Sequence, residues 1–591
     1  MAHVYKITSN CQDSHQATPY WLAMIVPFAN RITYNFDPSD PKSRDIDGIE
    51  VGAPILLDKE IIGWGTSSSK GGPNSGLQMS VKYFGVDFNK VLAPGDWVIF
   101  WAFDNFADYT VVKQKVKNEE RANEFKDGLK FVGRVTSVMK NLTVMPQTGQ
   151  KRYAYSIASN GFTEFTTKIY HNPHIKIPKL PLNMSWSRFS EKSDVLKGYT
   201  EPSDAIPVLL EIMLGTGPGL KFKGDSDVRT SPNDAFKIPQ IIGKILLNPQ
   251  KAETSNLFYS DIIEALVGTQ TYGATEGFGW TEEGSWVGFQ PELSQLKGNV
   301  ACNPLNFNNK SIWNILSDYA AAPINELYTC LRVNENGNIM PTLVCRQTPL
   351  CSNAFKLLNS QHGTTKTTAF IELPRWQIDD SMVLNATVGT SDAIRVNYLQ
   401  YFGYTIGEQS VAAARQFDLF KPIIDTQDIN RSGLCPDIRE VPILYIPGNA
   451  NSDYNGKHQS SKELGMYLNG LMADIKMEGH LKFAGTLVCK GIQVPVCEGD
   501  NLVFDGGIYH IERVAHAGSV TGNGQKDFTT TLTLTNGISI QSEEGTGIDE
   551  ENDTDLDIVR KNRNIYLNDD VLDPFEEVTL PIGTDWEFEE N

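Results

Sequence analysis

The side chains able to do chemistry are scattered along this chain, and few stand at a spacing that chemistry requires. His171 and His174 are separated by two residues, which suits a shared metal ion, but they sit in a proline-flanked stretch with no cysteine or helix nearby, so a surface loop is the plainer reading. His510 and His516 are an even number of residues apart in an alternating run, which puts them on one strand face and favours packing or a barrel rim over catalysis. Tyr509 and Glu512 fall on opposite faces of that strand and form no local acid–base pair. Glycoside cleavage needs two carboxylates flanking a sugar cleft, whereas Glu282-Glu283 and Asp379-Asp380 read as turn or solvated acids. Gly215–Gly219 (GTGPG) lacks the Gly-Lys-Ser/Thr ending of a phosphate loop and follows a helical run, so it reads as a helix end and turn. No Gly-x-Ser-x-Gly elbow, zincin motif or nucleotide loop occurs. The expectation is a protein without active site, metal or cofactor.

Composition narrows the class. With 591 residues the chain is too long for one core, and three or four domains are expected. Hydrophobic content of 40% is enough for a folded body, and the abundant Gly and Pro beside short β-prone runs point to barrels or sandwiches. No apolar run approaches the roughly 18–20 residues of a membrane span, and the first residues lack the layout of a secretion signal, so synthesis in the cytoplasm is expected. None of the eight cysteines forms a Cys-x-x-Cys pair. Reduced, packed thiols are the main reading, with a disulfide between Cys330 and Cys345 across a hairpin as the alternative. The net charge of −19 is concentrated at one end: residues 541–591 carry 17 acids against 3 bases. The body is near neutral, which does not suggest a nucleic-acid binder.

Residues 1–175 read as a β domain. Candidate strands are Tyr20–Phe28, Arg31–Phe36, Gly52–Leu57, Leu77–Tyr83, Asp96–Phe103, Phe131–Val138 and Lys151–Ile157, with Gly65–Gly76 as a loop and Lys113–Lys126 as a solvated helical patch. Asp96–Phe103 is too apolar for a one-faced strand, so it is either buried on both sides or pressed against another chain. Residues 176–309 read as a helical or mixed insertion with helices at Asp204–Leu214, Phe236–Leu247 and Leu257–Val267. In 310–402 an amphipathic helix from Ser311 to Pro323 is followed by a hairpin, Leu327–Val333 and Ile339–Val344, turning at Asn334–Gly337, then strands at Phe370–Leu373 and Ile394–Phe402. Residues 403–479 are irregular apart from a helix at Lys462–Met477, residues 480–540 alternate as a meander, and 541–591 form an acidic extended tail.

Trp313-x-Ile-Leu-x-x-Tyr319-x-x-x-Pro323-x-Asn-Glu326-Leu, followed by a strand reaching Arg346-x-Thr-Pro349, resembles a segment of the central baseplate hub proteins of tailed phages, a family that includes the hub portion of type VI secretion spike proteins. The run Gly485-x-Leu-x-x-x-Gly491, Gly499-Asp500, Tyr509-x-Ile-Glu-x-Val-x-His516 and Thr530-Thr-x-Thr-Leu-Thr-x-Gly537 is similar to the end of the hub's second barrel, and Gly95-Asp-Trp-Val with Phe131-x-Gly-Arg-Val to its first. The resemblance covers about 300 residues and thins in 176–305 and 403–460.

What the resemblance implies is a β-rich α+β protein with two tail-tube-like antiparallel barrels, a helical or mixed insertion and the acidic tail. Its function would be structural: a homotrimeric hub in the virion baseplate that adapts a six-fold tail tube to a three-fold spike and leaves a channel for DNA ejection. Tail tube protein and central spike protein would be partners, with a baseplate wedge or tape-measure protein as further candidates. Genomic DNA would meet it only in transit, and no stable membrane insertion is implied. Trp313, Tyr319, Pro323, Glu326, Arg346, Pro349, Gly499 and Tyr509 would be structural signature positions. Two rival readings are a tail-associated peptidoglycan hydrolase with its site in residues 176–305, and a host-surface adhesin using Gly273–Trp286.

Overall fold

The computed structural model describes residues 4–7, 18–27, 53–73, 75–144, 151–168, 240–246, 325–333, 337–347, 375–406, 422–447, 482–521 and 524–539, with isolated positions at 311–317 and 476–479. The strands of the first part are β1 (Val4–Ile7), β2 (Tyr20–Val26), β3 (Ile55–Leu57), β4 (Ile61–Ser69), β5 (Gly76–Lys82), β6 (Trp97–Phe103), β7 (Leu129–Val144) and β8 (Lys151–Gly161). A hairpin follows, β9 (Asn325–Val333) with β10 (Ile339–Gln347). Then come β11 (Arg375–Ile378), β12 (Val383–Gly389), β13 (Tyr398–Ile406), β14 (Ile423–Ile424), β15 (Pro436–Pro447), β16 (Phe483–Lys490), β17 (Asn501–Phe504), β18 (Gly507–Val520) and β19 (Lys526–Ser539). Helix α1 (Phe88–Val91) precedes β6 and α2 (Phe106–Lys117) follows it.

Among the described residues fourteen strands form one sheet with two arms of the same design. The first runs β4-β5-β8-β7-β6-β2, the second β12-β16-β19-β18-β17-β11. Taken in chain order, each strand of one arm holds the position of its counterpart in the other, and the first four neighbour pairs are antiparallel in both. The last pair differs: β2 lies antiparallel to β6, whereas β11 lies parallel to β17. The likeness extends to one turn. Gly95 N donates to Val135 O at 2.7 Å and Val135 N to Asp96 O at 2.8 Å; Gly499 N donates to Ile511 O at 2.7 Å and Ile511 N to Asp500 O at 2.9 Å. Gly95 and Gly499 have φ of 99° and 86°, the left-handed region that a side chain disfavours. A register shift follows directly in both arms, between Val135 and Ser137 and between Ile511 and Arg513.

Burial explains the strands. β6 (WVIFWAF) is buried at every position, so both of its faces are covered, as its unbroken apolar run requires. β5 alternates, with Leu77, Met79 and Val81 inward. The first core gathers Trp21, Trp64, Phe88, Phe100, Phe131 and Tyr155; the second gathers Trp376, Leu487, Leu502, Ile511, Leu532 and Leu534. Phe528 of β19 belongs to the first core, so the arms share packing as well as hydrogen bonds.

Several expectations need correction. Gly65–Gly76 is not a loop throughout: its first residues belong to β4. The helix expected at Lys113–Lys126 spans Phe106–Lys117 instead, because the Asn105 side chain caps it by accepting from Asp108 N, and Asn123 and Asp127 beyond it are buried rather than solvated. Cys330 lies opposite Thr342 and Cys345 opposite Leu327, so the hairpin register does not place the two cysteines face to face. β13, which starts at Tyr398, forms a separate three-stranded sheet with β14 and β15 inside the stretch 403–479, expected to be irregular. Strand β12 was not foreseen, and β11 begins just beyond the expected Phe370–Leu373, which lies outside the described residues. Arg31–Phe36, Asp204–Leu214, Leu257–Val267, almost all of Lys462–Met477, His171, His174, Glu282, Glu283 and the acidic tail also lie outside them. Asp379 accepts from Ser381 N at 2.9 Å at the start of a short 3-10 turn, in keeping with a turn acid.

Phe100 is fully buried and touches Trp64, with ring centroids 4.6 Å apart. Phe100→Ala is expected to cost about 3–5 kcal/mol, seen as a lower urea midpoint.

Candidate functional site

The most informative feature is the seam at which the two arms meet. Gly63–Ser69 of β4 pairs antiparallel with Arg513–Ser519 of β18, and Lys70 N adds a bond to Glu512 O at 3.1 Å. β18 can do this because β17 covers its outer edge only from Gly507 to His510, which leaves the rest of that edge open to β4. Small residues face one another: Gly63 lies opposite Ser519 and Gly65 opposite Ala517. Trp64 lies over Gly518, where any Cβ would strike the indole, and also contacts Phe100 and Phe528, the latter at 5.4 Å.

Polar groups clamp the seam from one side. Arg332 of β9 pairs with Asp500 at 2.6 Å, and Trp376 Nε1 donates to the other oxygen of that carboxylate at 2.9 Å. Lys70 contacts Glu326, lies 2.8 Å from His510 Nε2 and 3.7 Å from Glu512. On the other side of the hairpin, Thr329 Oγ1 donates to Pro73 O at 2.8 Å, and Ile339 N to Asn123 O at 2.6 Å. Gln493 adds a third link, accepting from Asp104 N at 3.1 Å and donating to Asp108 Oδ2 at 2.8 Å. The β9–β10 hairpin therefore bonds to both arms.

Beneath the seam is a cavity of about 40 Å³, room for a few water molecules, lined by Ser68, Lys130, Cys330, Glu498 and His516 among others. Ser68 Oγ donates to Glu498 Oε2 at 2.8 Å, while Oε1 has no hydrogen-bond partner among the described residues. Burial pushes the Glu498 carboxyl up to about 7 and the Lys130 ammonium down to about 7. Lys130 Nζ donates to Val494 O at 3.0 Å. His516 is held well below its ordinary value by the same cause and shares a 2.9 Å contact with Thr530 Oγ1. Burial thus drives these groups toward their neutral forms, which suits a packed joint. Among the described residues no group of three or more His, Cys, Asp or Glu side chains is placed to hold a metal ion.

The signature residues fall unevenly around this site. Glu326 is buried beside Lys70, Gly499 forms the turn preceding β17, and Tyr509 packs over Gly507 and Gly537. Trp313 is buried. Arg346 stands opposite Glu326 in the hairpin register. Tyr319, Pro323 and Pro349 lie outside the described residues. Reading the sequence missed Lys70, Arg332, Glu498 and Lys130, whose partners are 168 or more residues away. The one available signal was the repeated Gly-Asp at 95–96 and 499–500.

No protein-family model matches the chain, and no curated protein matches it in sequence. Among solved structures it is similar to the tail protein from Neisseria meningitidis MC58, at 9% identity and a TM-score of 0.37 over 87% of this chain and 96% of that one. It is similar also to the 43 kDa tail protein of prophage MuSo2 from Shewanella oneidensis, at 9% identity and a TM-score of 0.35 over 87% and 98%. A third likeness is to a Francisella PdpA-VgrG complex, at 8% identity and a TM-score of 0.33 over 90% of this chain and 55% of that one. The described residues contain no helix long and apolar enough to cross a membrane.

The two shifted groups make stability depend on pH with a sign that differs on either side of neutrality. Folded Glu498 keeps its proton to about pH 7, against an ordinary 4.5, so stability falls as pH rises between those values. Unfolded Lys130 keeps its proton to 10.5, against about 7 when folded, so stability rises again above neutrality. Urea unfolding across pH should show Glu498→Gln removing the acid-side fall, about 3 kcal/mol, and Lys130→Met removing the alkaline-side rise.

Proposed function

We propose that this chain is a structural hub of a phage-type tail, acting as a mechanical adaptor without catalytic activity. The observation that carries the reading is the pair of arms of one strand order, joined edge to edge by β4 and β18. A chain carrying the same β unit twice meets a symmetry problem that a single unit does not: three copies present six similar faces while keeping a three-fold axis. Such a ring would match a six-fold tail tube above and a three-fold spike below, with a lumen for DNA once the spike departs. In this reading each arm is one tube-like barrel, and the hairpin, bound to one arm through Lys70–Glu326 and to the other through Arg332–Asp500, holds the two at a fixed angle together with Gln493. The tail tube and spike proteins are the partners, with a wedge or tape-measure protein as a further contact. The acidic residues 541–591, interrupted by apolar islands such as Ile565–Leu567 and Trp586–Phe588, fit a segment that lies along one of them. The near-neutral body favours transit of DNA, because a basic wall would hold the phosphates.

Mass photometry of the purified full-length chain should give three times the mass of one chain, and pull-down from tail lysates should recover tube and spike proteins. A stable monomer with affinity for neither would overturn the adaptor reading.

A further inference from the structure

Each arm has one edge strand whose counterpart in the other arm bears on the seam. In the seam, β4 of the first arm pairs with β18 of the second. The counterpart of β4 is β12, and the counterpart of β18 is β7. Among the described residues β12 is paired on one side only, with β16, and β7 beyond Arg134 on one side only, with β8. Both open segments are exposed: Leu384 is 54% exposed on β12, and Met139 and Leu142 are 60% and 51% exposed on β7. β12 carries no charge and the open part of β7 carries only Lys140, so neither edge has the run of charges that guards solitary edges against pairing.

We infer that β12 of one copy pairs antiparallel with the outer half of β7 of the next copy, reproducing between chains the joint that β4 and β18 make within one. The partner is thus a second copy of this chain, and the inference rests on the ring reading above.

The register follows from the ladders. In the first arm Ser137 pairs with Ala158, Ala158 with Gln78 and Gln78 with Gly65. In the second, Arg513 pairs with Thr533, Thr533 with Thr486 and Thr486 with Thr387. Thr387 therefore stands where Gly65 stands, and Ser137 where Arg513 stands. Within the chain Gly65 faces Ala517, four residues past Arg513; the equivalent of Ala517 is Asn141, four past Ser137. Thr387 of one copy then faces Asn141 of the next, with Ala386 opposite Leu142 and Val388 opposite Lys140. Each copy offers one edge of each kind, so the contact is heterologous and closes only as a ring. The backbone groups of both edges that have no strand partner among the described residues gain hydrogen-bond partners, and the exposed Leu142 and Met139 gain cover.

Cysteines placed across the joint test it on full-length protein. Thr387→Cys and Asn141→Cys, purified separately, mixed and oxidised with copper-phenanthroline, should give a covalent dimer at least ten times the level of the unsubstituted chain. The double variant should give a ladder ending at the closed ring. The displaced pair Thr387→Cys with Leu142→Cys, whose side chains point to opposite faces, should cross-link far less. A second route needs no cross-link. Ala386→Asp with Leu142→Asp sets like charges face to face and should weaken assembly at least ten-fold, and Ala386→Lys with Leu142→Asp should restore it. An oligomer that forms without the in-register cross-link, or that ignores the charge pair, overturns this joint while the ring stands. A chain that remains monomeric at all concentrations overturns both.

Discussion

An unpaired strand edge is a row of backbone donors and acceptors that must be satisfied by something, and the way this chain satisfies one edge decides its architecture. β4 has β5 on one side and nothing from its own arm on the other; β18, half uncovered because β17 is short, supplies the missing partner. That single ladder turns two sheets into one, brings Phe528 into the first core and fixes the distance at which Arg332, Asp500, Lys70 and Glu326 meet. The joint tolerates no bulk, since Trp64 occupies the space above Gly518.

Much of the fold was legible where local rules and burial agree. β6 declared itself by an apolar run with no polar face, the β9–β10 hairpin by an Asn-Gly turn whose Gly337 has φ 74°, and the meander β16–β19 by alternation. What failed was the strand that matters most. Ile61–Ser69 (IIGWGTSSS) looks like a loop in its second half because Gly and Ser are poor strand formers in isolation. It is a strand because β5 and β18 each present a ladder to it; the close approach lies on the partner, at Gly518, whereas a Cβ at Gly63 or Gly65 would meet nothing nearer than 3.8 Å. β12 was missed for a related reason: it is almost wholly exposed, so no alternation marks it. The buried ionisable groups at the seam were invisible because their partners come from distant stretches; only the twice-used Gly-Asp turn hinted that two parts of the chain solve the same local problem.

The two arms have diverged in ways that follow their surroundings. Val135 and Ile511 keep the same hydrogen bonds in the same turn, but the acids beside them differ in task. Asp96 accepts from Ala93 N at 2.8 Å and closes a local turn, while Asp500 holds Arg332 and Trp376 and anchors the hairpin. The two arms share the backbone of this turn, while its acid closes a local turn in one and binds Arg332 of the hairpin in the other.

The parallel pairs at the far end of the second arm carry a consequence for biosynthesis. β1, at residues 4–7, completes that arm by lying beside β11, and Asp379 N reaches back to Ile7 O at 3.2 Å. A ribosome releases β1 about 370 residues before its neighbour exists, and β17 later still. β1 meets its neighbour only after every strand of the first arm has been made, and the second arm, whose last strand ends at Ser539, closes later than the first.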